Sequence, residues 1–216
     1  MPRKLKKSKP LIYVFCEGES EQAYTEFLKN RFKDVAVIKY LKKPGLFEMA
    51  EDSFKNNIKC RNEAETINEI WFFFDTETKD IAKWDSRLTC IKSLRRLRKS
   101  PGIKIRLLMT SGCIEYWLML HYKMFAPSVV TVAEKERMLT EVVNREPTYF
   151  KGNLTATAKI AENYPAAIEH ADKVMNNLLS EGLPGIEESD ERNRWLHCNS
   201  KTFSTVHEAI RYLESI

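Results

Sequence analysis

The sequence predicts an α/β protein: a mostly parallel sheet flanked by helices, followed by a helical C-terminal region. Three observations carry this expectation. Between Pro10 and Met109, four short apolar runs alternate with segments of helical periodicity. The third run, IWFFF at Ile70–Phe74, is apolar at every position, as a strand buried on both faces of a parallel sheet is. From Cys113 onward no strand-like run remains, only helical patterns.

The elements follow in order. Pro10–Cys16 (PLIYVFC) is the first strand and stops at Glu17-Gly18-Glu19. Ser20–Arg31 carries Ala23, Tyr24, Phe27 and Leu28 at helical spacing, with Ser20 as its cap and Glu19 and Glu21 beside its positive end. Val35–Leu41 is a second strand, and Leu46–Ile58 a helix after Pro44-Gly45. The strand Ile70–Phe74 leads into a basic helix, Asp85–Lys99, which ends at Pro101-Gly102. Ile103–Met109 is a fourth strand. CIEYWLMLHYKMF from Cys113 is a helix rich in large apolar residues, and Val132–Asn144, Ala156–Tyr164, Ala166–Ser180 and Thr205–Ile216 are further helices. Leu183–Arg194 reads as an acidic loop, and Thr205-x-x-Glu208 as a capping box opening the last helix. The expected division is a basic tail over 1–9, an α/β domain over 10–112 and a helical region over 113–216.

Composition sets the class. The chain has 216 residues, 43% of them hydrophobic and 30% charged, which suits one domain with a real core. No apolar run approaches a membrane span, and LIYVF is too short for a signal peptide, so the expected location is the cytoplasm. The five cysteines (Cys16, Cys60, Cys90, Cys113, Cys198) are scattered, without a C-x-x-C pair, and are expected to be reduced and mostly buried. His197 and Cys198 lack the further spaced ligands of a zinc site, and His121 reads as a core histidine. The net charge of +5 is uneven. One basic cluster is Arg3, Lys4, Lys6, Lys7 and Lys9; another runs from Lys92 through Arg95, Arg96, Arg98 and Lys99 to Lys104 and Arg106. Such clusters suit a polyanion, although a solvated helix face is the commoner meaning of a charge run.

The chemistry is expected where strands end. Neighbouring parallel strands place their carboxyl ends side by side, and ligands bind just beyond them. Glu17 after the first strand, and Asp75 and Glu77 after the third, would then converge although far apart in sequence. Clustered carboxylates repel unless a cation neutralises them, and magnesium accepts oxygen ligands while keeping waters. Helix capping by Asp75 and Thr76 is the simpler alternative. The Walker lysine loop, G-x-G-x-x-G, H-E-x-x-H and G-x-S-x-G are absent from the sequence, so ATP hydrolysis by this chain is not expected.

An acid-Gly turn after the first strand and a D-x-[DE] after the third resemble the TOPRIM fold of topoisomerases, primases and OLD-type nucleases. Over most of the chain, CEGESEQAYTEFL, FFFDTE, TSGCIEYWLMLHY and NSKTFSTVHEAIRYL resemble, in order, the motifs of the RloB-like family of phage-defence proteins. Glu17, Glu19, Asp75, Glu115, Trp117, Asn199, Thr205, Val206 and His207 match the motifs. Glu77 stands where the family usually has Asp, Thr76 replaces a basic residue, and SGC and NSKTFST depart from the usual segments.

This resemblance implies a TOPRIM-like sheet and a Mg²⁺- or Mn²⁺-dependent nuclease cutting DNA or RNA in anti-phage defence by abortive infection. It implies metal ligation by Glu17, Asp75, Glu77 and Glu115, with Glu17 or Glu115 as base. Arg95, Arg96, Arg98, Lys99 and Lys201 would contact phosphate. The implied partners are nucleic acid and an AAA/ABC-type ATPase; no membrane is involved, and self-association stays open. The alternatives are a non-catalytic module binding nucleic acid or partner, or a ribonuclease directed at tRNA.

Overall fold

The computed structural model describes residues 8–98 and 100–216. Four strands, β1 (Leu11–Cys16), β2 (Val37–Tyr40), β3 (Ile67–Thr76) and β4 (Lys104–Ser111), form one all-parallel sheet in the order β2-β1-β3-β4. The helices before β4 are α1 (Glu19–Arg31), α2 (Phe47–Asn56), α3 (Ile58–Glu63) and α4 (Trp84–Arg95), with a 3-10 turn over Thr78–Lys83. After β4 come α5 (Ile114–Leu120), α6 (Val132–Arg145), α7 (Leu154–Ala161), α8 (Tyr164–Leu179), α9 (Asp190–Cys198) and α10 (Val206–Ser215). The α/β reading with a helical C-terminal region holds. None of the helices among the described residues is long and apolar enough to cross a membrane.

Alternation along the strands divides the core in two. Ile12, Val14 and Cys16 of β1, Trp71 and Phe73 of β3, and Leu108 of β4 face α1, α5, α7 and α10. Tyr13, Phe15, Ile70, Phe72, Phe74, Ile105, Leu107 and Met109 face α2 and α4. Residues beyond 113 enter both halves: Trp117 and Ile210 join the first, Met175, Leu196 and Phe203 the second. Both flanks of the sheet are therefore covered, which is why β3 is apolar on both sides. All five cysteines are free and only Cys198 is not fully buried; His121 is a core residue bonded to Tyr24 Oη and Trp117 O.

Several element boundaries differ from the sequence reading for local physical reasons. The segment read as an acidic loop contains the start of α9, where the Ser189 side chain accepts the Arg192 N–H as an N-cap. The helix expected over 46–58 is α2, which ends at Asn56; a further short helix, α3, follows it, capped by the Asn57 side chain accepting from Lys59 N and Cys60 N. Ser20 does not cap α1, whose N-cap is Gly18. A capping box does exist, at Thr131 and Glu134 of α6, rather than at Thr205 and Glu208. Glu208 is taken by Arg192 at 2.7 Å. The Thr205 hydroxyl instead donates to Leu107 O (2.7 Å) and accepts from Met109 N (2.9 Å). With Thr205 N donating to Met109 O and an antiparallel bridge between Ser204 and Thr110, the 203–205 segment seals the outer edge of β4.

Thr205→Val keeps the shape of this buried side chain and strips both bonds from the β4 backbone. It is expected to destabilise the fold by about 1–3 kcal/mol, the cost of leaving buried backbone groups unpaired. Urea unfolding of the variant beside the wild type checks this; an unchanged midpoint refutes the edge-sealing role.

Candidate functional site

The register of the sheet assembles the acidic cluster. Cys16 of β1 pairs with Phe73 of β3, so Glu17, just past β1, and Asp75, two residues further along β3 and still paired with Thr110 of β4, lie at the same edge. Glu17 N donates to Phe73 O (3.0 Å), and Asp75 N donates to Glu17 Oε2 (2.9 Å). The chain then turns at Gly18 into α1, which brings in a third acid, Glu21, from its third position. Glu21 folds its carboxylate back toward the Gly18 backbone, the reciprocal half of a capping box. A Cβ at position 18 would lie 2.9 Å from Glu21 Oε2, so only glycine allows that approach. Glu115 arrives on the first turn of α5, buried to 1% exposure, and accepts from Tyr149 Oη at 3.1 Å.

Glu17, Glu21, Asp75 and Glu115 line one open cavity of about 330 Å³ together with Glu19, Ser20 and Lys151. The only cation on its wall is Lys151, 3.9 Å from Glu115 Oε1 and largely in solvent. Burial raises the Asp75 pKa well above the usual carboxylate range, and the charges of Glu21, Glu17 and Glu115 raise it further. Burial likewise pushes Glu21 up to about 7, and the charges of Glu17 and Glu115 add to it. Glu17 is exposed at the cavity mouth, yet partial desolvation still shifts it upward against the Asp75 N–H bond. Asp75 Oδ1 is out of contact with solvent and has no hydrogen-bond partner. Among the described residues, no three Asp, Glu, His or Cys side chains already surround one point as a ligand set would.

Glu77 belongs elsewhere. The chain crosses the sheet edge at Thr76, and the Glu77 carboxylate binds Lys135 (2.6 Å) on α6 and Lys79 (2.5 Å). Partial burial opposes its ionisation, but these two lysines outweigh burial and hold its pKa below the usual value. It lines a separate, narrow cleft of about 20 Å³ with Lys135, Ser111, Ser200, Lys201 and Thr202. Behind it, the 3-10 turn is fixed by buried Arg87, which donates to Asp80 Oδ2 (3.2 Å) and to His197 Nε2 (2.5 Å). Burial and the Arg87 charge push His197 down to about 4, so its ring is neutral and accepts the guanidinium N–H.

The basic helix lies far from the acids. In a parallel sheet the helix after a strand returns to the amino-terminal edge, so α4 starts near the site and ends roughly 20 Å away, at 1.5 Å per residue over its length. There Arg95 makes a bidentate pair with Asp190 (2.7 and 2.8 Å), and Arg98 donates to Pro101 O (2.7 Å) and Glu65 O (2.8 Å). Arg96 is exposed at the same edge, and Lys99 lies outside the described residues, as do Arg3, Lys4, Lys6 and Lys7. Arg95, Arg96 and Arg98, the expected phosphate contacts, thus lie at the edge of the sheet opposite the carboxylates. Lys201 does lie on the carboxyl side, paired with Glu181 at 2.7 Å beside the Glu77 cleft. Glu21 and Tyr149 are the residues sequence reasoning missed; a glutamate at the third helical position after an acid-Gly turn was the available signal for Glu21.

A carboxyl whose folded pKa exceeds its ordinary 4.5 gives stability that is present below 4.5 and lost as pH rises through about 7. Glu21→Gln removes that loss. Without divalent cations the variant is expected to be more stable than the wild type at pH 8, by on the order of 1–3 kcal/mol, and equal to it at pH 4. Thermal unfolding at both pH values checks this; equal stability at pH 8 contradicts the strained-carboxylate reading.

No curated protein and no solved structure matches the chain. The family model described as RloB-like protein matches residues 12–213. The order of motifs over the sheet and helices is thus that of a known family, and the chain belongs to the RloB-like family.

Proposed function

We propose that this protein is a metal-dependent phosphodiesterase acting on nucleic acid in anti-phage defence. One observation carries the reading: four carboxylates converge beyond the ends of two adjacent parallel strands, and Asp75 Oδ1 is buried there without a partner. Mutual repulsion makes such a group unfavourable alone and favourable around a hard cation. The donor set fits Mg²⁺ or Mn²⁺, with Asp75, Glu17, Glu21 and Glu115 as the oxygen ligands once the flexible glutamates turn inward. A bound ion would polarise a phosphoryl oxygen and ease ionisation of a water.

The chain's own residues then divide the work. Asp75, fixed by strand pairing, anchors the site. Glu17, at the cavity mouth, and Glu21, on the first turn of α1, line the cavity where a proton of an entering water could be accepted. Tyr149 orients Glu115, and Lys151 offers a flexible cation to a phosphate entering the cavity. Glu77 is the departure from the metal set expected of it. Its pairing with Lys135 and Lys79 also favours a second reading, a binding module in which carboxylates serve structure. An ATPase partner remains part of the proposal on family grounds.

Incubation of the protein with labelled DNA and RNA in Mg²⁺, Mn²⁺ or EDTA, beside Asp75→Ala, tests the proposal. Cleavage that needs the metal and falls at least 100-fold in the variant is expected. Cleavage in EDTA, or undiminished in Asp75→Ala, overturns it; absence of cleavage even with the ATPase present supports the binding module.

A further inference from the structure

The segment that closes one wall of the cavity displays an aromatic ring to solvent. Tyr149 points inward, with its ring buried and its hydroxyl on Glu115. Two residues on, Lys151 lines the cavity. Between them Phe150 is 64% exposed. The ring therefore lies outside the core and is open to a partner from solvent.

Nor is Phe150 on a loose loop. Asn153 N donates to Phe150 O (3.0 Å), closing a β-turn whose third residue, Gly152, has φ +79°. Gly152 N donates to Ser20 Oγ (3.2 Å), and a Cβ there would lie 3.1 Å from Glu19 Cβ, so the turn is pressed onto the start of α1. Asn153 caps α7 by accepting from Ala156 N (3.0 Å) and ties back to Thr148 O (2.9 Å). Tyr149 N donates to Glu146 O (2.9 Å). The backbone that carries the ring is held at a fixed place relative to the acids, one residue from a cation that lines their cavity.

An exposed ring beside a lysine at a phosphate-directed cavity matches the elements of single-strand recognition, where bases stack on aromatic side chains and cations follow the backbone. A base inside a duplex already has both faces covered, so a lone phenyl gains a partner only when the neighbouring base is unpaired and unstacked. We propose that Phe150 is the stacking platform for an unpaired base next to the phosphate in the acidic cavity, and that the substrate is single-stranded nucleic acid. This rests on the phosphodiesterase reading above.

The test is a binding cycle on the full chain. Fluorescent single-stranded DNA and RNA oligonucleotides, their duplexes, and single strands carrying abasic positions are titrated with wild type, Phe150→Ala and Phe150→Trp in Mn²⁺, using non-cleavable phosphorothioate linkages. Wild type is expected to prefer the single strand and to lose about tenfold on the abasic strand, the order of one stacked base. Phe150→Ala should lose about tenfold on the intact strand and respond little to the abasic change; Phe150→Trp should retain affinity. Phe150→Ala binding the intact single strand as tightly as the wild type, or equal wild-type affinity for duplex and single strand, overturns the inference and leaves the phosphodiesterase reading intact, since that reading is tested by cleavage of ordinary phosphodiester strands. Failure of the wild type to bind any of these strands overturns the inference as well, while the phosphodiesterase reading stands or falls separately, on cleavage of ordinary strands with the ATPase present.

Discussion

The arrangement depends on repulsion between carboxylates that the sheet does not allow to separate. Glu17 follows the last residue of β1, Asp75 is still paired to β4 near the end of β3, and the Asp75 N–H is itself bound to Glu17. Moving either acid away means giving up ladder bonds in the most buried part of the protein. Glu21 and Glu115 are held by the first turns of α1 and α5, and burial denies the group the water that would screen it. The apolar run IWFFF therefore does two things. It secures β3 between both halves of the core, and it fixes the point at which Asp75 must emerge.

Around this centre the fold separates charges by function. Positive groups that resemble a nucleic-acid surface in sequence are committed to structure at the far edge, Arg95 to Asp190 and Arg98 to backbone carbonyls. Buried Arg87 is also structural: it joins Asp80, His197 and the rings of Phe47 and Phe74, and so fixes the turn that follows Glu77. Lys135 and Lys79 neutralise Glu77, which lines a separate cleft away from the acidic cavity. Among the described residues, the cation left lining the acidic cavity is Lys151, and the residue before it, Phe150, is exposed.

The strands and their order of appearance were legible because apolar runs and acid stops are local signals. Glu17, Asp75 and Glu115 were legible as positions for the same reason, helped by motif order. Other features depend on tertiary geometry that spacing does not encode. The Thr205 hydroxyl had two outlets, its own helix or the neighbouring strand, and the strand edge won. The direction of Glu77 is decided by the turn after β3 and by a lysine 58 residues away. The charge run in α4 looked like a substrate surface until the return path of a βαβ unit placed its end at the opposite edge of the sheet. Start signals for α9 were hidden by the acidic residues around Ser189.

The most direct test of the central claim is calorimetric titration of Mn²⁺ into the wild type and Asp75→Asn at pH 8. The account predicts that the wild type takes up the cation and that the neutral isostere binds it at least tenfold more weakly, a difference of about 1.4 kcal/mol or more. Equal affinity in the two proteins, or no uptake by a wild type that is folded, would contradict the assignment of these carboxylates to a cation.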